Sequence, residues 1–468
     1  MKRIYTLIVI LGLYATVCAQ VSTQNYVQTR TMLNETGSSY MDNVVYFDGL
    51  GRSFQTVQKG ITPTDKQNLV TLQEYDALGR ETSTWLPIKS TSTFLAPATF
   101  KSNAPGNYSD ARPYSEPVYE SSPLNRVIKQ HGPGKAWETH PVVTSYMTNT
   151  LDASMRCIHY LVDANGGLVR DAATYYPAGE LYVTKTTDED NNVSYTFTDK
   201  DGCVLLSRKV ATNVAHDTYY VYDDLGNLRY VLQPMYQDNN NLALYAFQYK
   251  YDDRSRCVWK KLPGIEPVEY WYDDADRLTY SQDGNQRVSD SSLRTYYLYD
   301  KFNRLTEQGE TRILNNRPVF ELHFSNYYDG YEFLSSYGFT DAAYSINADD
   351  KKYGKGMLTG SAIAIGNSHS MIYTAYHYDI KGRVVKSISS NLLGGYETTT
   401  TTYTFTGQPA TVTHTHTATG KATQTEVYTY TYDHADRVSK VEHKLNGTTV
   451  TLVDNTYDAF GRLSTKSL

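Results

Sequence analysis

A six-residue pattern recurs along this chain and constrains its fold more than any other feature. Its clearest form is Tyr75-Asp76-Ala77-Leu78-Gly79-Arg80. Repetition at a roughly regular spacing is the signature of an array built from one structural unit. The pattern therefore predicts a repeat architecture. The pattern occurs ten times, and we call these occurrences the turn copies. Each is named by its aspartate: Asp48, Asp76, Asp199, Asp223, Asp252, Asp273, Asp300, Asp379, Asp433 and Asp458.

The position three residues after the aspartate indicates a backbone conformation. It holds Gly in six copies, Asp in two, Asn in one and Ser in one, and Gly, Asn and Asp tolerate the left-handed region. An Asp followed three residues later by Gly is typical of a type I turn whose left-handed residue closes a hairpin. The Asp carboxylate can accept N–H groups within such a turn. The glycines concerned are Gly51, Gly79, Gly202, Gly226, Gly382 and Gly461.

The flanks of the turn copies predict strands. Alternating aromatic and β-branched residues precede the turn, as in Tyr219-Tyr220-Val221-Tyr222, and an aliphatic residue often follows it. Such period-two patterns on both sides of a turn describe a β-hairpin. Successive aspartates lie 24 (199 to 223), 29 (223 to 252) and 21 (252 to 273) residues apart. We therefore expect an all-β fold in which stacked hairpins form a long solenoid or spiral sheet.

An arginine directly follows the turn in eight of the ten copies. We expect its guanidinium to lie on a neighbouring Tyr ring or to pair with the turn Asp of the next unit. The alternative is a ladder of anion-binding sites, which we disfavour because a ligand site seldom needs one copy per repeat. The arginines are Arg52, Arg80, Arg256, Arg277, Arg304, Arg383, Arg437 and Arg462.

The N-terminus reads as an export signal. Residues 1–19 combine the basic Lys2 and Arg3 with an apolar run too short to span a bilayer, and end in a small-residue cleavage motif. Cys18 as a lipid-anchored residue is the alternative. No later apolar run approaches the length of a membrane span, so we expect a secreted or cell-surface protein. The net charge of −6 and the scattered basic residues exclude a basic stripe for nucleic acid.

The repeat signal is uneven and suggests a division of the chain. Residues 87–141 hold eight of the fifteen prolines, so we expect irregular, extended loops there. No clear copy lies between Asp76 and Asp199, whereas worn copies are visible at Tyr327–Tyr331 and Tyr403–Gly407. We predict a signal peptide at 1–19, an N-terminal domain at 20–185 and the repeat array at 186–468.

Motifs for catalysis or metal binding are poor. Gly132-Pro133-Gly134-Lys135 lacks the first Gly and the final Ser or Thr of a phosphate loop. His414 and His416 could share a strand face, but no acidic or Cys ligand lies just upstream of them, and an exposed Thr-rich strand explains them better. Only three turn copies add a second Asp, which leaves calcium a minor alternative. We expect no enzyme activity, no cofactor and no metal site.

Three cysteines follow the signal segment, and an odd number rules out a complete disulfide framework. We interpret Cys157, Cys203 and Cys257 as packing residues, with a Cys203–Cys257 bridge as an open alternative. Tyrosine is the compositional outlier, with 44 residues against 13 Phe and 4 Trp. Tyr suits half-exposed strand faces, and exposed Tyr rings can also stack on sugars.

The turn copies resemble the YD repeat of secreted bacterial Rhs proteins and, more distantly, of teneurins. Motifs outside the repeats agree, including Ser122–Val127, Gly132–Trp137, Tyr176–Gly179, Asp188–Asp190 and Gln233-Pro234. The resemblance implies a partial Rhs-type β-shell, which in that family often encloses a C-terminal toxin and is also described as carbohydrate-binding. The Asp-Pro-x-Gly core motif of the family is absent here, so the resemblance implies the upstream portion of the shell or a degenerate or truncated relative.

These observations lead to one functional expectation and one alternative. We expect a non-enzymatic, secreted scaffold, part of a β-shell that encapsulates or presents a C-terminal effector or toxin in interbacterial competition. The alternative is a cell-surface carbohydrate-binding or adhesion module. Expected partners are glycans, or a toxin segment with further repeats, and neither nucleic acid nor a membrane span. The binding residues are not identifiable from the sequence, so the turn copies are the candidate positions.

Overall fold

The computed structural model describes residues 24–336, 353–366 and 370–467. The signal segment predicted at 1–19, with Cys18, lies outside them. The first elements are β1 (Asn25–Met32), β2 (Tyr40–Phe47), β3 (Ser53–Lys59), β4 (Asn68–Tyr75), β5 (Glu81–Ser90), α1 (Pro97–Tyr108), β6 (Tyr114–Tyr119), β7 (Val127–His131), a 3-10 turn at Lys135–Thr139 and β8 (Val142–Thr148).

The middle of the chain continues the pattern of short strands. Its elements are β9 (Ile158–Val162), β10 (Leu168–Tyr175), β11 (Tyr182–Thr187), β12 (Val193–Thr198), β13 (Val204–Ala211), β14 (Val214–Tyr222), β15 (Leu228–Leu232), α2 (Pro234–Asn239), α3 (Leu242–Tyr245), β16 (Ala246–Tyr251), β17 (Cys257–Lys261), β18 (Val268–Tyr272), β19 (Leu278–Gln282), α4 (Gly284–Ser289) and β20 (Arg294–Tyr299).

The last part is almost entirely strand. Its elements are β21 (Leu305–Leu314), β22 (Arg317–Tyr328), α5 (Glu332–Ser336), β23 (Leu358–Ala364), β24 (Met371–Tyr378), β25 (Val384–Ser390), β26 (Tyr396–Tyr403), β27 (Pro409–His416), β28 (Gln424–Tyr432), β29 (Val438–Leu445), β30 (Thr448–Tyr457) and β31 (Leu463–Ser467).

The strands form one long antiparallel meander. Each strand pairs with the next in the chain, except that β8 pairs with β11 and that β9 and β10 form a hairpin of their own. In the described residues the resulting sheet has 29 strands. The predicted all-β fold, with its long sheet of consecutive hairpins, is thus confirmed.

The meander places the ten turn copies on one edge of the sheet. Successive strands run in opposite directions, so every second connection falls on the same side. The connections at Asp48, Asp76, Asp199, Asp223 and the later turn copies occupy these alternate places. We call this side the turn edge. The other side, with α1, α2, α3, α4 and the Asn446-Gly447 turn, is the opposite edge.

Three buried clusters support the sheet, each where an added element covers one face. In the first, α1 packs Phe100 and Ala104 against Trp85 and Ile88 of β5. The second forms beneath the β9–β10 hairpin and α2, and the third beneath the segment that includes α5. Strands between these clusters, such as β17 and β18, are half-buried along their whole length.

The expectation of extended loops at 87–141 is wrong for α1. This helix starts with Pro97 at its N-terminus and continues through Pro105. It carries no strong apolar periodicity, and only two residues one turn apart, Phe100 and Ala104, are buried. Its stability therefore comes from the sheet beneath it, which the local sequence does not reveal.

The interval between Asp76 and Asp199 contains further turns of the same kind. In each, the first residue bonds through its N–H to the carbonyl at the end of the turn, as from Glu120 to Arg126, Asp163 to Gly167 and Asp188 to Asn192. The sheet runs through this interval without a break, and the boundary predicted between residues 185 and 186 falls inside β11. The division into two domains stays a prediction.

The end of the sheet meets its beginning. Nη2 of Arg437, in a late turn copy, donates to the carbonyl of Ile61 at 3.4 Å. The ring of Phe460, in the last turn copy, stacks on Tyr108 at the end of α1, with 4.9 Å between ring centroids and 8° between their planes. Ile61 and Tyr108 lie on the opposite edge, so the turn edge of the last units rests on the opposite edge of the first.

Phe460→Ala tests this contact. Because aromatic pairs contribute about 0.5–1.5 kcal/mol beyond the area they bury, we expect a loss of about 1–2 kcal/mol in unfolding free energy. Amide hydrogen exchange should rise in both α1 and the β30–β31 turn. Phe302→Ala is the matched control, since Phe302 holds the same place in the Asp300 turn but is 63% exposed. Equal effects of the two changes would contradict the contact.

Candidate functional site: the turn edge

Each turn copy is built around its aspartate, as Asp273 illustrates. The N–H of Asp273 donates to the carbonyl of Arg277 at 2.9 Å, and the N–H of Asp276 donates back to the Asp273 carbonyl at 3.1 Å. Oδ1 of Asp273 accepts the N–H groups of Ala275 and Arg277, both at 2.9 Å. Asp276 has a φ of 61°, in the left-handed region. All ten copies make the two backbone bonds.

The second carboxylate oxygen binds the arginine of the same turn. In the eight copies that have this arginine, Nε donates to Oδ2 of the turn Asp at 2.7–2.8 Å. We expected the guanidinium to lie on a neighbouring Tyr ring, which it does, or to pair with the turn Asp of the next unit. In most copies it pairs with its own turn Asp rather than with the next one. Arg304 does both, since it also forms a forked ion pair with Asp329 of the following turn.

The same arginine connects each turn to the next. Its guanidinium lies over the Tyr ring that precedes the following turn, for instance Arg52 over Tyr75 at 4.5 Å and Arg383 over Tyr403 at 4.4 Å. That Tyr donates its hydroxyl to the carbonyl just after the first turn, as Tyr75 does to Ser53 at 2.8 Å. Equivalent hydroxyl bonds occur at Tyr119, Tyr251, Tyr272, Tyr328, Tyr378, Tyr403, Tyr432 and Tyr457. We call this series of contacts the Arg–Tyr ladder.

The left-handed position serves the ladder in two ways. Where it is Asp or Asn, its side chain accepts from the preceding unit, as Asp276 does from Arg256 at 2.6 Å and Asn303 from Arg277 at 3.2 Å. At Gly79 and Gly461 the missing side chain leaves room for the arginine of the preceding turn copy. A Cβ on Gly79 would stand 2.9 Å from Nη1 of Arg52. The substitutions among copies thus reflect contact with the neighbour as well as backbone conformation.

The predicted site residues all lie on the turn edge, and the ladder brings them together in consecutive pairs rather than into one pocket. The Asp223 turn has no arginine directly after it, and Asn227 and Arg229 approach its carboxylate instead, at 3.3 and 3.5 Å. The worn copy at Tyr403–Gly407 makes the same two backbone bonds as the ten turn copies. The N–H of Thr404 donates to the carbonyl of Gln408, and the N–H of Gly407 donates to the carbonyl of Thr404. The worn copy at Tyr327–Tyr331 forms a turn in which Asp329 bonds to Met357.

The hydrogen bonds lower the pKa of the turn aspartates that are followed by arginine. For Asp273 the backbone N–H of Arg277 contributes most, partial burial opposes it, and the Arg277 guanidinium lowers the pKa further. At Asp379 the largest effect is burial, which raises the pKa, yet the bonds from Arg383 outweigh it. These carboxylates therefore stay ionised and occupied by N–H donors.

His414 and His416, the two histidines considered as metal ligands, both contact one carboxylate. His414 Nε2 and His416 Nδ1 lie 2.8 and 2.6 Å from the two oxygens of Glu397, which stands opposite them on β26. Sequence reasoning missed Glu397, because this residue belongs to the neighbouring strand. Among the described residues, no group of three or more His, Cys, Asp or Glu side chains is arranged to hold a metal ion.

The glycine-rich loop and the three cysteines make contacts within the protein. The backbone N–H of Lys135, in the glycine-rich loop, donates to the carboxylate of Asp110. Cys157, Cys203 and Cys257 are all free thiols, so the alternative of a Cys203–Cys257 bridge is not realised. Burial raises the pKa of the Cys157 thiol to about 12, which keeps it protonated.

One open groove lies on a sheet face away from the turn edge. It measures about 560 Å³ and includes Phe324 and Asn326 of β22, Ser361 and Ile363 of β23 and Tyr376 of β24. Cross-strand pairing of Asn326 with Ser361 and of Phe324 with Ile363 puts these side chains on one face.

Comparisons with known proteins concern the N-terminal part and the fold. A model described as a domain of unknown function, DUF6443, matches residues 19–150. No curated protein matches the chain. The chain is similar to a chain of the TcdB2–TccC3–Cdc42 crystal structure, with 14% identity, a TM-score of 0.49, and coverage of 97% of this chain and 23% of that one. It is also similar to a chain of the Photorhabdus luminescens Tc holotoxin pore with a TccC3 mutation, with 14% identity, a TM-score of 0.48, and coverage of 94% and 22%.

This chain spans about a quarter of the length of the solved chains it matches. Across 24–336, 353–366 and 370–467, no helix has both the length and the apolar character needed to cross a bilayer.

Asp273→Asn tests the role of the turn carboxylates through pH. A carboxyl whose folded pKa is depressed contributes stability above its unfolded pKa of about 3.9, and that contribution disappears as pH falls through the folded pKa. At pH 7 we expect the variant to melt at a lower temperature than the parent, and the difference to shrink below about pH 4 as the parent is protonated. Asp274→Asn is the control, because the Asp274 carboxylate takes no part in these bonds. A difference that stays constant with pH would contradict the assignment.

Proposed function

We propose that this chain is a non-enzymatic, secreted scaffold, part of a β-shell that encapsulates or presents a C-terminal effector or toxin segment in competition between bacteria. The observation that carries the proposal is the contact of the last turn copies with Ile61 and Tyr108. A sheet that returns onto its own beginning has to curve around a space.

The dimensions of the closed path suit a container. From the β3–β4 connection to the β28–β29 connection the sheet crosses about 23 strand spacings of about 4.8 Å, a perimeter of about 110 Å. A circular path of that length is roughly 35 Å across between backbones, and about 5 Å of side chain on each inner face leaves an open width of about 25 Å. The Arg–Tyr ladder supports a rigid wall, because it connects neighbouring hairpins with side chains in addition to the sheet hydrogen bonds.

The absence of a catalytic role is part of the same proposal. In the described turn copies, the repeated Asp, Arg and Tyr side chains bond to one another. The cavity of about 430 Å³ beside the Asp300 turn is lined by such already bonded groups, Asp300, Arg304 and Tyr328. Export rests on the predicted signal segment.

A protease-protection experiment tests the container. A short, unstructured peptide containing a specific protease site is appended after Leu468, and the same peptide is placed at the predicted mature N-terminus as the control. We expect the C-terminal peptide to be cleaved at least about tenfold more slowly than the N-terminal one. Phe460→Ala should reduce that protection, because it opens the contact that closes the wall. Equal cleavage rates at the two termini would overturn encapsulation.

A glycan-binding role is the second candidate, and the groove on β22–β24 favours it. Tyr376 and Phe324 offer ring faces, and Ser361 offers a hydroxyl beside them, which is the mixture of apolar and polar groups that ligand sites use.

Binding to a panel of cell-wall and host polysaccharides tests this candidate. We expect Tyr376→Ala to weaken binding at least about tenfold, while Tyr182→Ala, which changes an exposed Tyr on β11, should leave it unchanged. A flat response of the parent protein across the panel would exclude the role.

A further inference from the structure

A row of exposed apolar side chains follows the turn edge. Most of these residues stand two places after the turn Asp, at the tip of the turn, where burial in the folded chain does not explain an apolar side chain. They are 63–79% exposed, far beyond the exposure of a residue that packs. We call this row the tip row: Leu50, Leu78, Leu124, Leu225, Phe302 and Ile380.

The structure itself shows what covers such a tip. In the last two turn copies the same position is occupied by Ala435 and Phe460. Ala435 is only 9% exposed, in the turn whose Arg437 reaches Ile61. Phe460 stacks on Tyr108. In both of these late turn copies, the layer that the turn meets is the opposite edge of the sheet.

The opposite edge also carries exposed apolar side chains beyond that contact. They occur in the connections that follow β15, β17, β19 and β25, and they are 50–84% exposed. We call this set the opposite row: Met235, Leu244, Ile265, Val288, Leu392 and Leu393.

The connections on the two edges have matching periods. A meander has one connection on each edge for every two strands, so the connections on both edges repeat at about 10 Å. The residues of each row occupy some of these connections, and polar tips such as Asp201 and Arg254 separate them. The contact within the chain already joins one turn copy to one opposite-edge connection, at Asp433 with the β3–β4 loop and at Asp458 with α1. A second layer with the same period can therefore continue that contact in register.

We propose that the tip row is a docking edge for a second copy of this chain, which presents its opposite row. The contact would repeat between molecules the edge-to-edge packing that this chain makes with itself. It joins two different surfaces of identical chains, so it is a head-to-tail contact that can propagate. The turn aspartates and arginines neutralise each other, which leaves the edge without a strong field of one sign to oppose stacking. Extended apolar surface of this kind is typical of interaction sites.

Sedimentation velocity over a hundredfold range of concentration tests the proposal. We expect the parent protein to associate as concentration rises, and Leu50→Ser/Leu78→Ser/Leu225→Ser to raise the dissociation constant at least about tenfold. The control is Val27→Ser/Leu298→Ser/Leu463→Ser, which removes three exposed apolar side chains from strands rather than from either row. A parent protein that stays monomeric, or a tip-row variant that associates as the parent does, would overturn the proposal.

Mixing two variants tests the head-to-tail geometry. Val288→Ser/Leu392→Ser/Leu393→Ser impairs the opposite row and leaves the tip row intact. Each variant alone should associate at least about tenfold more weakly than the parent protein, whereas an equimolar mixture should form dimers through the one intact pair of edges with the parent's affinity and stop there. A mixture that stays monomeric would overturn the pairing of unlike edges. The result is independent of the encapsulation experiment, because a closed single chain can protect a peptide whether or not it stacks.

Discussion

The rest of the structure depends on one repeated interaction, in which an arginine binds the aspartate of its own turn and lies on the tyrosine of the next. The carboxylate fixes the guanidinium at 2.7–2.8 Å, so the arginine reaches its neighbour in one defined orientation. The tyrosine returns a hydroxyl bond to the backbone behind that arginine. Each hairpin is thus fastened to the next through side chains as well as through the strand ladder.

This fastening matters because much of the sheet has no second layer. Among the described residues, buried apolar clusters form where α1, the β9–β10 hairpin with α2, or the α5 segment covers a face. Elsewhere, as in β17 and β18, both faces are half-exposed. A single sheet loses much of the hydrophobic stabilisation that a sandwich gains. Tyrosine, which combines apolar area with a hydroxyl, is well suited to such a wall, and this accounts for its abundance here.

Features set by consecutive residues could be predicted from the sequence, whereas contacts between different strands or layers could not. The turn conformation, the strands and the all-β fold follow from spacing and residue type alone. The pairing of Arg with its own Asp could have been found, because both recur at a fixed separation of four, but a guanidinium can reach either turn. Glu397 beside His414 and His416, and Tyr108 beneath Phe460, belong to other strands or layers. Helix α1 has too few buried residues to show a period.

The Asp and Arg of each turn contact neighbouring turns along the sheet, whereas the residue at the tip faces outward across the edge. This difference explains which positions vary. Asp and Arg act along the sheet, where every unit has a neighbour, so they are nearly constant. The tip acts across the edge, where the environment changes from unit to unit. It is Leu or Phe in several open turns, Ala435 in a buried one and Phe460 in a stacked one. Polar tips such as Asp201 and Arg254 interrupt the row. Lateral strength and edge contact can therefore change independently, which lets one repeat build both a wall and a docking edge.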